Sequence, residues 1–410
     1  MELLDEDGDI GMDISGKVQS EMKKYDGWFK EELRWFHQHP ELSFHEYDTT
    51  AHILKYLKEF NIPVLDTGLE TGCIALLQGS VQGPCIALRA DIDALPVTEH
   101  SSAPYQSQNP GRMHACGHDT HMTSLLGAAR ILSELRNDLQ GSVKFIFQPA
   151  EEINMGAKKM MSIYCLENPH VDAIFGMHNS PDIPVGTVAV KKGPLMAAVD
   201  RIEIKIHGKG GHGGIPQRNL DPIPAAAAVI QSIQNIVSRN ISPMDAAVVS
   251  ICNIRAGEGT TNNVTPDDVV MYGTVRTYKK EVKQKIKDRL RCIIESVSEG
   301  YGCRGELNYI DELEVTDNNP ILYETAYQAV KGAGAVPVDP VPSTGGEDFA
   351  AYLAGKSPGF FYWLGVRNAD KDCLYPWHSP KFRADEDAVT IGAGTYAMTA
   401  FCAIQMYRNK

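Results

Sequence analysis

The chain has 410 residues, of which 43% are hydrophobic and 22% charged, ordinary proportions for a soluble protein long enough for two domains with sizeable cores. A formal net charge of -13 and a pI near 5.5 disfavour nucleic acid or an anionic membrane as partner, because either would require a basic face. Nine cysteines, an odd number in irregular spacing, fit reduced thiols rather than a disulfide framework.

The opening residues Met1 to Asp9 are acidic and show neither the basic nor the apolar part of a secretory signal. No stretch reaches the roughly 18 uninterrupted apolar residues of a spanning helix, so a cytoplasmic protein is expected. Val18 to His37 and Tyr47 to Phe60 carry apolar residues at helical spacing, with Pro40 forcing the break between them. From Thr71 to Gln148 apolar runs suited to strands (Gly72 to Gln78, Cys85 to Arg89, Ser142 to Gln148) alternate with a helix from about Thr120 to Glu134. This is α/β logic. Two further apolar runs, Ala173 to Met177 and Gly359 to Gly365, extend the series.

Between about Ala198 and Ile310 the rhythm changes. Asp200 to His207 alternates as a strand, Pro222 to Val237 is an alanine-rich helix, and Ala246 to Ile254 and Val269 to Thr277 read as strands. Glu281 to Glu299 is an amphipathic helix and Gly305 to Ile310 a last strand. The order β-α-β-β-α-β predicts a ferredoxin-like unit. We therefore expect a catalytic α/β domain, residues 1–197 and 311–410, with a mixed, mostly parallel sheet flanked by helices, and an inserted domain at 198–310. The glycine-rich segment Gly208 to Gly214 has neither the Gly-Lys-Ser/Thr ending of a P-loop nor the strand-to-helix register of a dinucleotide fingerprint.

The stretch His114-Ala115-Cys116-Gly117-His118-Asp119-Thr120-His121 carries the densest chemistry. Thiolate and imidazole hold zinc, cobalt, nickel or manganese-type ions, yet one short loop cannot close such a site. Further ligand candidates follow apolar runs elsewhere: Glu151-Glu152, His178-Asn179, His378, and upstream Asp91 and Asp93. In open α/β sheets ligands bind beyond the carboxyl ends of strands, so these clusters point to one shared cleft. For Cys116 a buried core thiol is the bland alternative and a nucleophile paired with His118 a second. The two-residue spacing on a loop favours shared metal binding. Cys73, Cys85, Cys165, Cys252, Cys292 and Cys402 read as core filler, and His39, His45, His52 and His170 as surface or capping residues.

Taken together, Trp35 to Ser43, Arg89 to Pro96, His114 to His121, Gln148 to Glu152, Gly176 to Asn179, Gly210 to His212, Asn263-Val264, Gly273 to Thr277, Gly346 to Phe349 and His378 to Phe382 occur in order over nearly the whole chain. In this the sequence resembles the aminoacylase/carboxypeptidase metallohydrolases, in the branch of hippurate hydrolases, N-acyl-amino-acid amidohydrolases and auxin-conjugate hydrolases. The resemblance implies two divalent ions (Mn, Zn, Co or Ni) on Cys116, His118, Glu152, His178 and His378. It further implies Glu151 as general base toward a metal-bridging water, and Cys116 as the donor shared by both ions. It gives His212 the stabilisation of the oxyanion, often from a partner subunit, and Asn263 and Arg276 the carboxylate of an N-acyl amino acid substrate. Glu347 lines or braces the same cleft, Asp93 supports the ligand His118, and the inserted domain acts as a lid that forms a homodimer or higher oligomer. Departures at Gly213-Gly214, Gln217, Trp377 and Ser379 bear on acyl specificity. A carboxypeptidase or dipeptidase on the same scaffold, or a non-catalytic ligand-binding homologue, are the competing readings; a zinc nucleobase deaminase is excluded because no Pro-Cys-x-x-Cys follows.

Overall fold

The computed structural model describes residues 10–257, 261–355 and 357–409; the acidic lead Met1 to Asp9 lies outside them. The chain forms two compact units, one of residues 1–195, 317–341 and 348–410, the other of residues 196–316 and 342–347.

The first unit opens with α1 (Ile10–Gln38) and α2 (Tyr47–Glu59), parted at Pro40. There follow β1 (Cys73–Gln78), β2 (Cys85–Asp91), α3 (His118–Glu134), β3 (Ser142–Gln148), α4 (Gly156–Ser162), β4 (Ala173–Pro184), β5 (Thr187–Ala189) and β6 (Gly193–Met196). The chain then enters the second unit with β7 (Ala198–His207), β8 (Gly211–His212), α5 (Pro222–Asn235), β9 (Ala247–Ala256), β10 (Val264–Thr265), β11 (Asp268–Thr277), α6 (Lys280–Gly300) and β12 (Arg304–Leu313). It returns through β13 (Thr316–Asn318), α7 (Tyr323–Gly332), β14 (Val336–Val338), α8 (Ala350–Leu353), β15 (Gly359–Arg367) and α9 (Asp387–Arg408).

The large sheet of the first unit has the order β1-β3-β2-β4-β15-β5-β14. Its central pairs β3/β2, β2/β4 and β4/β15 are parallel, whereas β1 and β5 run antiparallel to β3 and β15. Strands covered on both faces must be apolar along their length, and β2 and β3 are buried at every position. Two cations within that layer are satisfied rather than solvated: the Lys144 ammonium donates to the carbonyls of Cys165, Glu167 and Pro169 at 2.8–3.0 Å, and Arg89 lies among carboxylates described below. Helix α9 is long and apolar enough to cross a membrane by length and composition, although its sequence has charged and polar interruptions; two thirds of it is buried here as a core helix. It packs against α1, α3 and α7 and against strands β2, β4 and β15 of the sheet.

β3 lies on one side of β2 and β4 on the other, so the order in which parallel strands are added reverses at β2. That switch leaves a crevice at the carboxyl ends of the strands. His178 does not follow its strand as the apolar run suggested; β4 continues past it to Pro184, with His178 opposite Trp363 of β15.

The second unit carries a four-stranded antiparallel sheet in the order β12-β7-β11-β9, with α5 and α6 on its apolar face. The chain order β7-α5-β9-β11-α6-β12 is the ferredoxin-like arrangement, with β8 and β10 added as a short antiparallel pair. Its core of Ile202, Ile204, Ile206, Val229, Ile233, Met271, Ile286 and Leu290 is separate from that of the first unit. Two cysteines read as core filler are exposed. Cys252 lies on edge strand β9, and Cys292 falls off the stripe of α6 formed by Ile286, Leu290, Ile293 and Ile294.

Candidate metal centre

The donors come from four places in the first unit. Gly117, with φ +86°, turns the loop into α3, whose first residue is His118. The His118 Nδ1–H donates to the Asp93 carbonyl at 2.9 Å, which leaves Nε2 buried and without a hydrogen-bond partner. The ring of His178 is fixed likewise: Nδ1–H donates to the Asn179 carbonyl at 2.7 Å, and Nε2 stands 3.5 Å from Cys116 Sγ. The turn after β3 brings up Glu151 and Glu152. Glu152 Oε1, also buried and unpartnered, is 3.8 Å from His118 Nε2, and Oε2 is 3.7 Å from His378 Nε2. His378, at φ +63°, hangs its backbone N–H on the Ala115 carbonyl at 2.8 Å.

Among the described residues, donor atoms within 4.8 Å of one another form five sets, and two of them, Cys116–His118–His178 and Cys116–Glu152–His378, share Cys116. Atoms 2.0–2.3 Å from one tetrahedral ion stand about 3.3–3.8 Å apart, and the distances within each set, 3.5 Å between Cys116 Sγ and His178 Nε2 and 3.7 Å between Glu152 Oε2 and His378 Nε2, match. A buried polar atom left unpaired costs about 1–3 kcal/mol. That two such atoms, on His118 and Glu152, face each other fits a site built for cations.

The electrostatics agree. Burial pushes the Cys116 thiol well up, with Glu152 adding to it. Burial raises Glu152 to about 7, opposed by His118, while it drives His178 well down. On His118 burial works against the imidazolium, but the carboxylates of Asp91 and Asp93 outweigh it and hold the group up. The thiol and His118 thus keep their protons until a cation displaces them, which makes affinity rise with pH.

Asp93 does more than support His118. Its carboxylate accepts the backbone N–H groups of Glu151 and Glu152, each at 3.1 Å, and the Ser43 hydroxyl at 2.7 Å, fixing the turn that carries both glutamates. Ala150, at φ +55°, is held from behind by Glu46 Oε1 at 2.9 Å. Glu151 is buried, 4.0 Å from His118 Nε2, and its Oε1 is 3.4 Å from the Asp348 amide.

Sequence reasoning named Asp91 among candidate ligands but gave no role to the buried Arg89, His121 and Gln148 around it. Asp91 accepts from His121 Nδ1–H at 2.5 Å and from Arg89 at 2.8 Å; Arg89 continues to Asp348 at 2.7 Å, and Asp348 takes the Gln148 amide at 2.9 Å. His121 one turn beyond His118 was the available signal, since residues three apart share a helix face. His39 caps α1, its Nδ1 2.6 Å from the Trp35 carbonyl, as read, whereas His52 is not a free surface group: it stacks on Trp35 and its Nε2 meets Glu32 at 2.6 Å. His45 and His170 are exposed, as read.

In the second unit β8 pairs with β10, which sets the exposed His212 beside Asn263; the Gly213 N–H donates to the Asn263 carbonyl at 2.7 Å. His212 Nδ1 accepts the Gly214 N–H at 3.0 Å. Arg276 is half-buried near the other end of β11, its guanidinium on the carbonyls of Thr344 and Val275 at 3.2 and 3.1 Å. Eight residues of strand, roughly 27 Å, separate it from Asp268, the end nearer His212. One chain therefore does not unite His212 and Asn263 with Arg276. Glu347 is buried in the returning segment 342–347.

A strand-end set of thiol, imidazole and carboxylate donors in an α/β domain, interrupted by a ferredoxin-like unit, defines a class of two-domain metallohydrolases. The chain belongs to the peptidase family M20/M25/M40, whose model matches residues 87–401. It is 47% identical over 373 residues to an N-acetylcysteine deacetylase of Bacillus subtilis (strain 168), covering 91% of this chain and 96% of that one. It is 39% identical over 393 residues to thermostable carboxypeptidase 2 of Saccharolobus solfataricus, covering 95% and 98%. The solved YXEP protein of Bacillus subtilis, a dinuclear metal binding peptidase, superposes with a TM-score of 0.83 at 43% identity, covering 93% of this chain and 99% of that one.

Proposed function

We propose that this protein is a metal-dependent amidohydrolase that cleaves the amide bond of N-acyl amino acids to a carboxylic acid and an amino acid. The observation that carries this reading is the pair of donor sets sharing Cys116, with the buried carboxylate of Glu151 beside His118. Two divalent ions held by Cys116, His118, Glu152, His178 and His378 would supply Lewis acidity and make a nearby water acidic. Manganese, zinc, cobalt and nickel all suit this donor set. Glu151 takes the proton from the attacking water and delivers it to the leaving amine nitrogen. Such a base contributes about 10²–10⁴-fold.

His212 donates to the developing oxyanion, while Asn263 and Arg276 hold the substrate carboxylate, for which the guanidinium fork is suited. Because His212 and Asn263 lie far from Arg276 within one chain, we read the working enzyme as a homodimer or higher oligomer in which these groups come from different copies. A cytoplasmic setting accords with nine free thiols. The likeness to a carboxypeptidase supports a second reading, cleavage of peptides on the same scaffold.

Metal content and amino-acid release should be measured on acetyl-, benzoyl- and indoleacetyl-amino acids and on dipeptides, for wild type and Glu151→Gln. We expect about two ions in both proteins and release from acyl amino acids by wild type alone. Preferential turnover of dipeptides would install the second reading, and retained activity in Glu151→Gln would remove the base.

A further inference from the structure

Asn179 is fully buried and adjoins the proposed ligand His178. Each of its polar groups is engaged. Its backbone carbonyl accepts from the His178 ring at 2.7 Å, and its backbone N–H donates to His121 Nε2 at 2.8 Å. Side-chain Nδ2 donates to the Cys116 carbonyl at 2.6 Å and lies 2.8 Å from the same His121 nitrogen. Oδ1 accepts the indole N–H of Trp377 at 3.0 Å.

These contacts reach three ligand-bearing segments directly: the loop of Cys116, the strand of His178, and Trp377 immediately before His378. A fourth follows through His121, which rides on α3 with His118. The tautomer of His121 is fixed, since Nδ1–H faces Asp91 and Nε2 accepts from Asn179. The packing leaves no slack: a Cβ on Gly117 would stand 2.4 Å from Asn179 Nδ2.

We propose that Asn179 is a positioning residue that sets the separation of the two donor sets, through one arm that acts on both ions and another that acts on a single ion. The Nδ2 arm places Cys116, which both sets share. The Oδ1 arm, through Trp377, places His378 alone, which belongs to the Cys116–Glu152–His378 set. This rests on the dinuclear reading above.

The arms are separable by substitution. Asn179→Asp keeps the acceptor for Trp377 but loses both side-chain donors; Trp377→Phe removes the indole donor and leaves Nδ2 on Cys116. The test is cobalt(II) titration of metal-free full-length protein, followed by calorimetry and by the near-ultraviolet absorption of thiolate bound to cobalt. Loss of a hydrogen bond behind a ligand costs about 10–100-fold in metal affinity. In Trp377→Phe we expect one ion at wild-type affinity with the thiolate band intact, and the other weakened by that factor. In Asn179→Asp both ions weaken and the band falls. Equal weakening of both ions in Trp377→Phe, or no weakening, at an unchanged metal-free melting temperature, overturns the proposal. Should Asn179→Asp fail to fold, Trp377→Phe decides alone. A wild type that binds no second ion would instead remove the dinuclear reading, and this proposal with it.

Discussion

His37 shows how a single side chain commits the fold to a range of pH. It is buried, with Nδ1 2.7 Å from Asp119 and Nε2 3.1 Å from Glu99. Burial disfavours its charged form, but the two carboxylates outweigh that and hold its pKa at about 10 against an ordinary 6.5. A group whose folded pKa is raised binds its proton more tightly in the native state, so its stabilisation is complete below about pH 6.5 and fades as pH rises towards 10. Metal-free protein should thus lose stability across this window. His37→Gln should lower stability by about 3–5 kcal/mol near neutrality, the cost of stripping one member from a buried ion pair, and should flatten that part of the pH profile. Denaturant melts of both proteins with chelator present, from pH 6 to 10, give the answer; parallel profiles would mean that His37 is not charged in the folded protein.

At the scale of elements, the turn between β3 and α4 is held from several sides of the first unit. Its residues meet Asp93, Glu46 and Asp348, and the Ala157 N–H at the start of α4 donates to Asp348 at 2.8 Å. Gly156 is required by space rather than by φ: a Cβ there would meet the Pro149 carbonyl oxygen at 1.8 Å and Gln148 Nε2 at 2.5 Å. Gly156→Ala should therefore cost about 1–3 kcal/mol, typical of overpacking. Because the displaced turn carries Glu151 and Glu152, it should also weaken the ion held by Glu152, as metal analysis after dialysis will show; a stable variant with full metal content would refute the constraint. Much of this was legible. Continuous apolar runs gave β2, β3 and β15, since strands covered on both faces have no polar side to advertise, and the alternation of Asp200 to His207 marked a half-covered sheet. The donors announced themselves by chemical type. What stayed hidden depends on pairing across the chain. Asp91 and His121 are 30 residues apart and Asn179 and Trp377 198, and no local pattern records such contacts. Pro181 and Pro184 disguised the rest of β4, and the edge position of β9 turned Cys252 outwards.

At the scale of the whole molecule, the division of labour is itself testable. All five proposed metal ligands, the base and the network of Asp91, His121 and Asn179 belong to the first unit, whereas His212, Asn263 and Arg276 belong to the second. The second unit has its own apolar core. The chain leaves the first unit at Leu195 and re-enters at Asp317, and the neighbouring Asn318 is anchored there, its side chain donating to the carbonyls of Lys191 and Phe361 at 3.0 and 2.9 Å. A variant with residues 197–315 replaced by a short glycine-serine linker should consequently fold and take up two ions at near wild-type affinity. Its turnover of acyl amino acids should fall by at least about 10²–10³-fold, the effect of losing one oxyanion donor, with the loss of Arg276 weakening substrate binding besides. Metal loss in that variant would mean that the second unit holds up the donor sets. Undiminished turnover would mean that the water, the base and the ions suffice, and that the substrate is oriented by the first unit alone.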